Sequence, residues 1–111
     1  MCCVLGYVGQ DLPKEKFTEY LLRTTSRGPD DQRVEKTEFG WLGFGRLAIM
    51  GLTPAGMQPF FRGKDCVVCN GELYGFRPVK KELEKEGYTF SSDSDCELLL
   101  PLYYKYGLDM F

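Results

Sequence analysis

The chain opens on a cysteine that already belongs to an apolar run. Cys2 follows Met1, and Cys3 to Val8 (CVLGYV) is apolar and partly β-branched, with glycines at Gly6 and Gly9. That pattern suits a buried strand closely approached by its neighbours. The start of the chain therefore belongs inside the fold, and the rest of a 111-residue sequence has to be built around it. At that length there is room for about one small domain with a single modest core.

The remaining elements follow from spacing. Pro13 suits a first helical position, and Phe17, Tyr20, Leu21 and Thr24 recur at helical intervals before Gly28, so 13–25 reads as an amphipathic helix. RGPDD at 27–31 is a proline-containing turn, and 32–38 and 40–49 alternate as a strand pair hinged near Gly40. Gly43 and Gly45 weaken the second strand and let another backbone or a ligand come close. The Gly- and Pro-rich stretch 53–63 reads as a loop, and a short strand at 65–69 runs into NGELYG, a sharp exit from the sheet.

Pro78 opens a second helix to Lys85, with Val79 and Leu83 as its apolar stripe, Lys80 and Glu84 paired four apart, and Gly87 as its cap. SSDSD at 91–95 supplies capping oxygens for a third helix through Tyr106, closed by Gly107. Pro101 inside it costs about 3 kcal/mol and predicts a kink over 97–101. Helices and strands in this mixture make the fold class α+β.

Charge removes several function classes. The net charge is −2, with Lys and Arg interspersed among acids, so the basic footprint of a nucleic-acid binder is missing. The longest apolar stretch, 98–104, is too short to span a membrane, and the amino terminus lacks the basic region and apolar core of a signal peptide. The expectation is a cytoplasmic protein with no nucleic-acid or membrane partner. Five cysteines and no histidine read as reduced thiols rather than a disulfide framework, and they exclude Ser-His and Cys-His nucleophile pairs.

Cys2 has two readings. It is either a small buried residue at a strand start, or, once Met1 is removed, a nucleophile whose own α-amine, titrating near about 8, serves as its base. Cys66 and Cys69 form a CxxC, but a single such pair without histidine makes a poor metal site, and no metal ligand set is assigned.

Six segments in order, MCCVLGY, SRGPDD at 26–31, FGRLAI at 44–49, GMQPF at 56–60, NGELYG at 70–75 and SDSDCE at 92–97, make the chain resemble the class II glutamine amidotransferases. RGPDD with GMQPF and NGELY looks most like the asparagine synthetase type. The resemblance implies an N-terminal-nucleophile α-β-β-α sandwich of antiparallel sheets and a glutaminase half-reaction, L-glutamine and water giving L-glutamate and ammonia.

The resemblance also implies roles. Cys2 matches the nucleophile, and Asn70 with Gly71 matches the oxyanion pair, although an Asn-Gly dipeptide is equally a common turn. Arg46 matches the residue gripping the substrate α-carboxylate, where the alternative is a surface strand arginine. Asp95 matches the partner of the substrate ammonium, where the alternative is helix capping. Gly71 and Glu72, and the Arg46–Met50 stretch around Ile49, match backbone contacts to glutamine.

Two departures stand out. Cys3 occupies the usual glycine position after the nucleophile, placing a side chain and an oxidation partner beside the reactive thiol, and Ser26 replaces a histidine before RGPD. The family's glutaminase domain continues past this length, so residues 1–111 are expected to be its N-terminal part, a sandwich incomplete on the C-terminal side. The synthetase domain or subunit that would receive ammonia, and use ATP and magnesium, is expected to lie elsewhere, with no cofactor in this chain. Two rivals remain: an inactive truncated remnant acting as a binding module, and a small zinc or redox protein.

Overall fold

A computed structural model describes residues 2–49 and 53–111 of the chain. Strands β1 (Cys3–Val8), β2 (Asp31–Lys36) and β3 (Gly40–Arg46) form an antiparallel sheet in the order β1-β3-β2. Strands β4 (Phe60–Arg62) and β5 (Asp65–Val67) form an antiparallel hairpin. Helices α1 (Lys14–Leu22), α2 (Phe76–Lys85) and α3 (Leu99–Tyr106) complete the expected α+β fold.

Side-chain alternation assigns the layers. A Cβ on Gly43 would stand 2.9 Å from Phe17 and 3.2 Å from Leu21, so the odd positions of β3 face α1, whose Phe17 and Leu21 are buried. Trp41, on that face, stacks on Phe17 and donates its indole N–H to the Leu12 carbonyl at 2.8 Å. Leu42, Phe44 and Arg46 consequently face the opposite way, toward the hairpin. There Arg33 of β2 lies over the Phe61 ring. Across the hairpin, Arg62 lies over Tyr88 and Phe90, and Asp65 accepts the Tyr104 hydroxyl at 2.6 Å. The order is therefore helix, sheet, hairpin, helices, the α-β-β-α layering implied by the resemblance. A second apolar cluster, Phe76, Leu83 and Leu98 with Leu73, Tyr88, Phe90 and Leu102, sits under α2.

Several boundaries differ from expectation. α1 stops at Leu22, because the Thr24 and Thr25 hydroxyls donate back to the Leu21 and Leu22 carbonyls at 2.6 Å, competing with helix continuation. The second and third strands end at Lys36 and Arg46 instead of 38 and 49, and the strand at 65–69 ends at Val67. The stretch 53–63 is not all loop: Pro54–Gly56 is a turn of 3₁₀ helix and Phe60–Arg62 is a strand. That strand is only three residues long and follows a Gly- and Pro-rich run, so it carries no periodic signal.

α2 starts two residues earlier than Pro78, and Phe76 rather than half-exposed Val79 joins Leu83 in the core. Lys80 donates to the Ser92 carbonyl at 2.9 Å instead of pairing with Glu84. Gly87 ends this helix as expected: Tyr88 N–H reaches the Leu83 carbonyl and Gly87 N–H the Glu84 carbonyl. The third helix is split, a 3₁₀ turn at Asp95–Leu98 continuing as α3. Pro101 thus falls in the first turn of α3, where a missing N–H costs little, and the expected kink is this change of helix type.

The RGPDD turn is sealed onto the sheet. A Cβ on Gly28 would stand 2.2 Å from the Gly45 carbonyl carbon, and backbone cannot move aside as a flexible side chain can. Asp30 N–H donates to the Arg46 carbonyl at 2.9 Å. Gly28→Ala should therefore destabilise the chain by about 1–3 kcal/mol, read as a lower urea midpoint. An unchanged midpoint would contradict this docking.

Candidate active site

The hairpin-facing side of the three-stranded sheet carries Cys2, Phe44 and Arg46 to one end, where the segments after β3 and β5 and the turn before α3 line a cavity of about 370 Å³. All seven residues singled out from the sequence, Cys2, Arg46, Ile49, Asn70, Gly71, Glu72 and Asp95, line it. They come from segments spread along the chain, and the fold brings them together. Met1 and the Met50 end of the Arg46–Met50 stretch lie outside the described residues.

Cys2 is half-buried, and its sulfur accepts the Leu47 N–H at 3.3 Å and donates to the Leu47 carbonyl at 3.4 Å. These contacts fix the thiol just beyond the end of β3. Arg46 is 8% exposed and donates from Nη1 to the Thr53 carbonyl at 3.0 Å. It is a wall residue of the cavity, not a surface strand arginine. Cys3 behaves otherwise than expected. It pairs with Gly45 in register and lies on the α1 face, so alternation turns it away from Cys2 and it does not line the cavity.

Asp95 is 5% exposed and accepts the Leu73 N–H through Oδ2 at 2.6 Å. It does not cap its own helix: the turn at Asp95–Leu98 has no side-chain cap. The capping oxygens expected of Ser91 and Ser92 are also otherwise engaged. Both serines donate N–H and hydroxyl groups to the Glu97 carboxylate, over 2.5–2.9 Å. Burial pushes the Glu97 carboxyl up, but these bonds overcome it and hold the group below its ordinary value.

Three contributors escaped the sequence reading. Gln58, 5% exposed, straps the residue before Asn70: Oε1 accepts the Cys69 N–H at 2.6 Å and Nε2 donates to the Cys69 carbonyl at 3.2 Å. Asp30 accepts the Ala48 N–H at 2.7 Å and so shapes the segment holding Ile49. Tyr74 stands beside Glu72, which raises its phenol above the ordinary tyrosine value. Gln58 and Asp30 lie within GMQPF and RGPDD, so the motifs marked the places without revealing the work. The CxxC divides: Cys69 lines this cavity, whereas Cys66 lines a second cavity of about 430 Å³ between the sheet, the hairpin and α3. Among the described residues no group of three or more His, Cys, Asp or Glu is arranged to hold a metal ion, and no helix is long and apolar enough to cross a membrane.

Comparison with known proteins adds an independent line. The chain matches the glutamine amidotransferase domain family over residues 1–111. It is 38% identical over 112 residues to a probable glutamine-hydrolyzing asparagine synthetase of Acanthamoeba polyphaga mimivirus, covering 96% of this chain and 20% of that protein. It is 37% identical over 81 residues to glutamine-hydrolyzing asparagine synthetase 1 of Bacillus subtilis strain 168, covering 72% and 13%. Against asparagine synthetase 3 of the same organism it is 34% identical, covering 98% and 19%. The chain thus spans a fifth or less of the length of these relatives.

The Glu97 arrangement carries a pH dependence. Its folded value lies below the ordinary 4.5, so its stabilising contribution is complete above that pH and is lost as pH falls through the lowered folded value. Glu97→Gln should be less stable at neutral pH and should lose less stability than the parent chain on acidification below about 4.5. Urea midpoints measured across that range provide the check, and parallel acid limbs would contradict the assignment.

Proposed function

The chain belongs to the glutamine amidotransferase family, and we propose that its cavity hydrolyses L-glutamine to L-glutamate and ammonia with Cys2 as nucleophile. The observation that carries this reading is the convergence on one small cavity of a thiol, an Asn-Gly pair, a buried cation and a buried anion. That volume lies at the small end of the roughly 300–1,000 Å³ typical of ligand pockets.

In the proposed reaction, Met1 is removed and the Cys2 α-amine takes the thiol proton as the sulfur attacks the side-chain amide carbon. The amide oxygen becomes an oxyanion held by the Asn70 side-chain N–H and the Gly71 backbone N–H, neutral donors aimed at developing charge. The amine then gives its proton to the departing nitrogen, ammonia leaves, and water hydrolyses the thioester with the same amine as base. Arg46 binds the α-carboxylate and Asp95 the α-ammonium, with backbone contacts from Gly71, Glu72 and Ile49. Pairing both α-substituents selects glutamine over simple amides.

The same proposal covers the domain organisation. Residues 1–111 are read as the N-terminal part of the glutaminase domain, with the ammonia passed to a synthetase domain or subunit as the names of the relatives suggest. The half-reaction calls for no cofactor, and ATP with magnesium would serve the synthetase chemistry.

The test is glutamine-dependent ammonia release by the purified chain, with its amino-terminal mass determined in the same sample. Cys2→Ala should abolish release, and Asn70→Ala should lower kcat about a hundred- to a thousand-fold. Arg46→Lys, which loses the planar fork, should raise KM more than it lowers kcat. A folded, Met1-free chain releasing no ammonia would instead favour a cavity that binds without turning over.

A further inference from the structure

Two thiols with no part in the proposed hydrolysis both lie against Gly71 of its oxyanion pair. Cys69 immediately precedes Asn70, and Cys96 immediately follows Asp95, so each adjoins a residue assigned to the substrate. Both line the cavity. Cys96 is 3% exposed, and its thiol donates to the Gly71 carbonyl at 3.6 Å. The Cys69 sulfur lies against the same glycine, 3.4 Å from where a Cβ on Gly71 would stand. Burial, then the neighbouring Cys69 and Asp95, push the Cys96 thiol above the ordinary cysteine value.

The other thiols are placed differently. Cys3 is on the α1 face, Cys66 is in the second cavity, and Cys2 is engaged by both backbone groups of Leu47.

We propose that Cys69 and Cys96 are a modification site, forming a reversible disulfide under hydroperoxides that ties the Asn70-Gly71 segment to the Asp95 turn. Cys69, half-buried on the cavity wall, is the sulfur a small oxidant reaches. Hydrogen peroxide transfers one oxygen to it, giving a sulfenic acid and water. The Cys96 sulfur then attacks the Cys69 sulfur, the S–O bond breaks, and the departing hydroxyl leaves with the Cys96 proton as a second water. Two electrons pass from the two thiols to the peroxide, and a thiol reductant reverses the change. A disulfide sulfur carries no proton, so the Cys96 donation to the Gly71 carbonyl is lost when the bond of about 2.05 Å forms. On the hydrolysis reading, on which this consequence rests, the oxyanion pair loses its backing and turnover falls.

The experiment treats the purified chain with hydrogen peroxide, blocks the remaining thiols with a maleimide under denaturing conditions, and maps the products by mass spectrometry. Cys66 and Cys69 share a tryptic peptide, because no Lys or Arg lies between them, so fragment ions must separate them. The expected result is a species lighter by two hydrogens, with Cys69 and Cys96 of the five thiols protected and all five recovered after dithiothreitol. Cys2→Ala should form the same cross-link, and Cys69→Ser should form none.

A cross-link through Cys2 or Cys66, or oxidation of Cys2 with Cys69 and Cys96 both still blocked by maleimide, would overturn the proposal. So would over-oxidised Cys69 with Cys96 left free. Ammonia release measured alongside should be largely lost in the cross-linked protein and regained on reduction. A reduced chain that releases no ammonia counts against the hydrolysis reading, and the thiol map still decides the disulfide.

Discussion

The register between β1 and β3 governs everything near the cavity. Cys3 lies opposite Gly45 and Val8 opposite Gly40, which brings Cys2 level with the Arg46 end of β3 and onto the same face. Side chains alternate, so a slip of one residue would send Cys2 toward α1 and Cys3 into the cavity. The register is held from the α1 side: Phe17 and Leu21 fit over Gly43 because it has no side chain, and the Trp41 indole is tied to Leu12. A helix on the far side of the sheet thereby helps decide which of two adjacent cysteines faces the cavity.

The remaining walls lack that sheet support and depend on side chains bonding to backbone. Asp30 takes Ala48, Gln58 takes both groups of Cys69, and Asp95 takes Leu73. Each strap links segments distant in sequence and satisfies backbone groups that irregular chain would otherwise leave unpaired. Rigid placement of this kind is what preorganised donors require. It also explains how a site can be assembled on loops without long strands beneath them.

Much of this was legible because its signals are local. The apolar run at 3–8, the helical spacing over 13–25, of which the helix takes Lys14–Leu22, and the glycine stop at 87 each state their own structure. The motifs located, from the resemblance, seven of the residues that line the cavity. What could not be read were pairings at a distance. Nothing in SSDSD indicates that its serines turn to Glu97, nor that Lys80 prefers the Ser92 carbonyl to Glu84 four residues on. β4 was missed because three residues establish no period. The orientation of Cys3 was missed because adjacency in sequence was read as adjacency in space, whereas in a strand it means opposite faces.

Asp95 and Glu97 show how one short turn separates two carboxylates into different duties. Both are almost completely buried. Glu97 collects four donors from Ser91 and Ser92, about the number that the lone pairs of a carboxylate can accept. It is saturated, and it serves to hold the chain ahead of the turn. Asp95 accepts one backbone N–H and lines the cavity, and a carboxylate so placed retains acceptor capacity on the cavity side. A buried carboxylate left unpaired is costly, and the Leu73 N–H is one of the groups that meets this need. On the proposed reading an incoming α-ammonium completes the set. Asp95 lines the cavity and can face the ammonium of a zwitterionic amino acid, whereas Glu97, already satisfied, could offer such a ligand little.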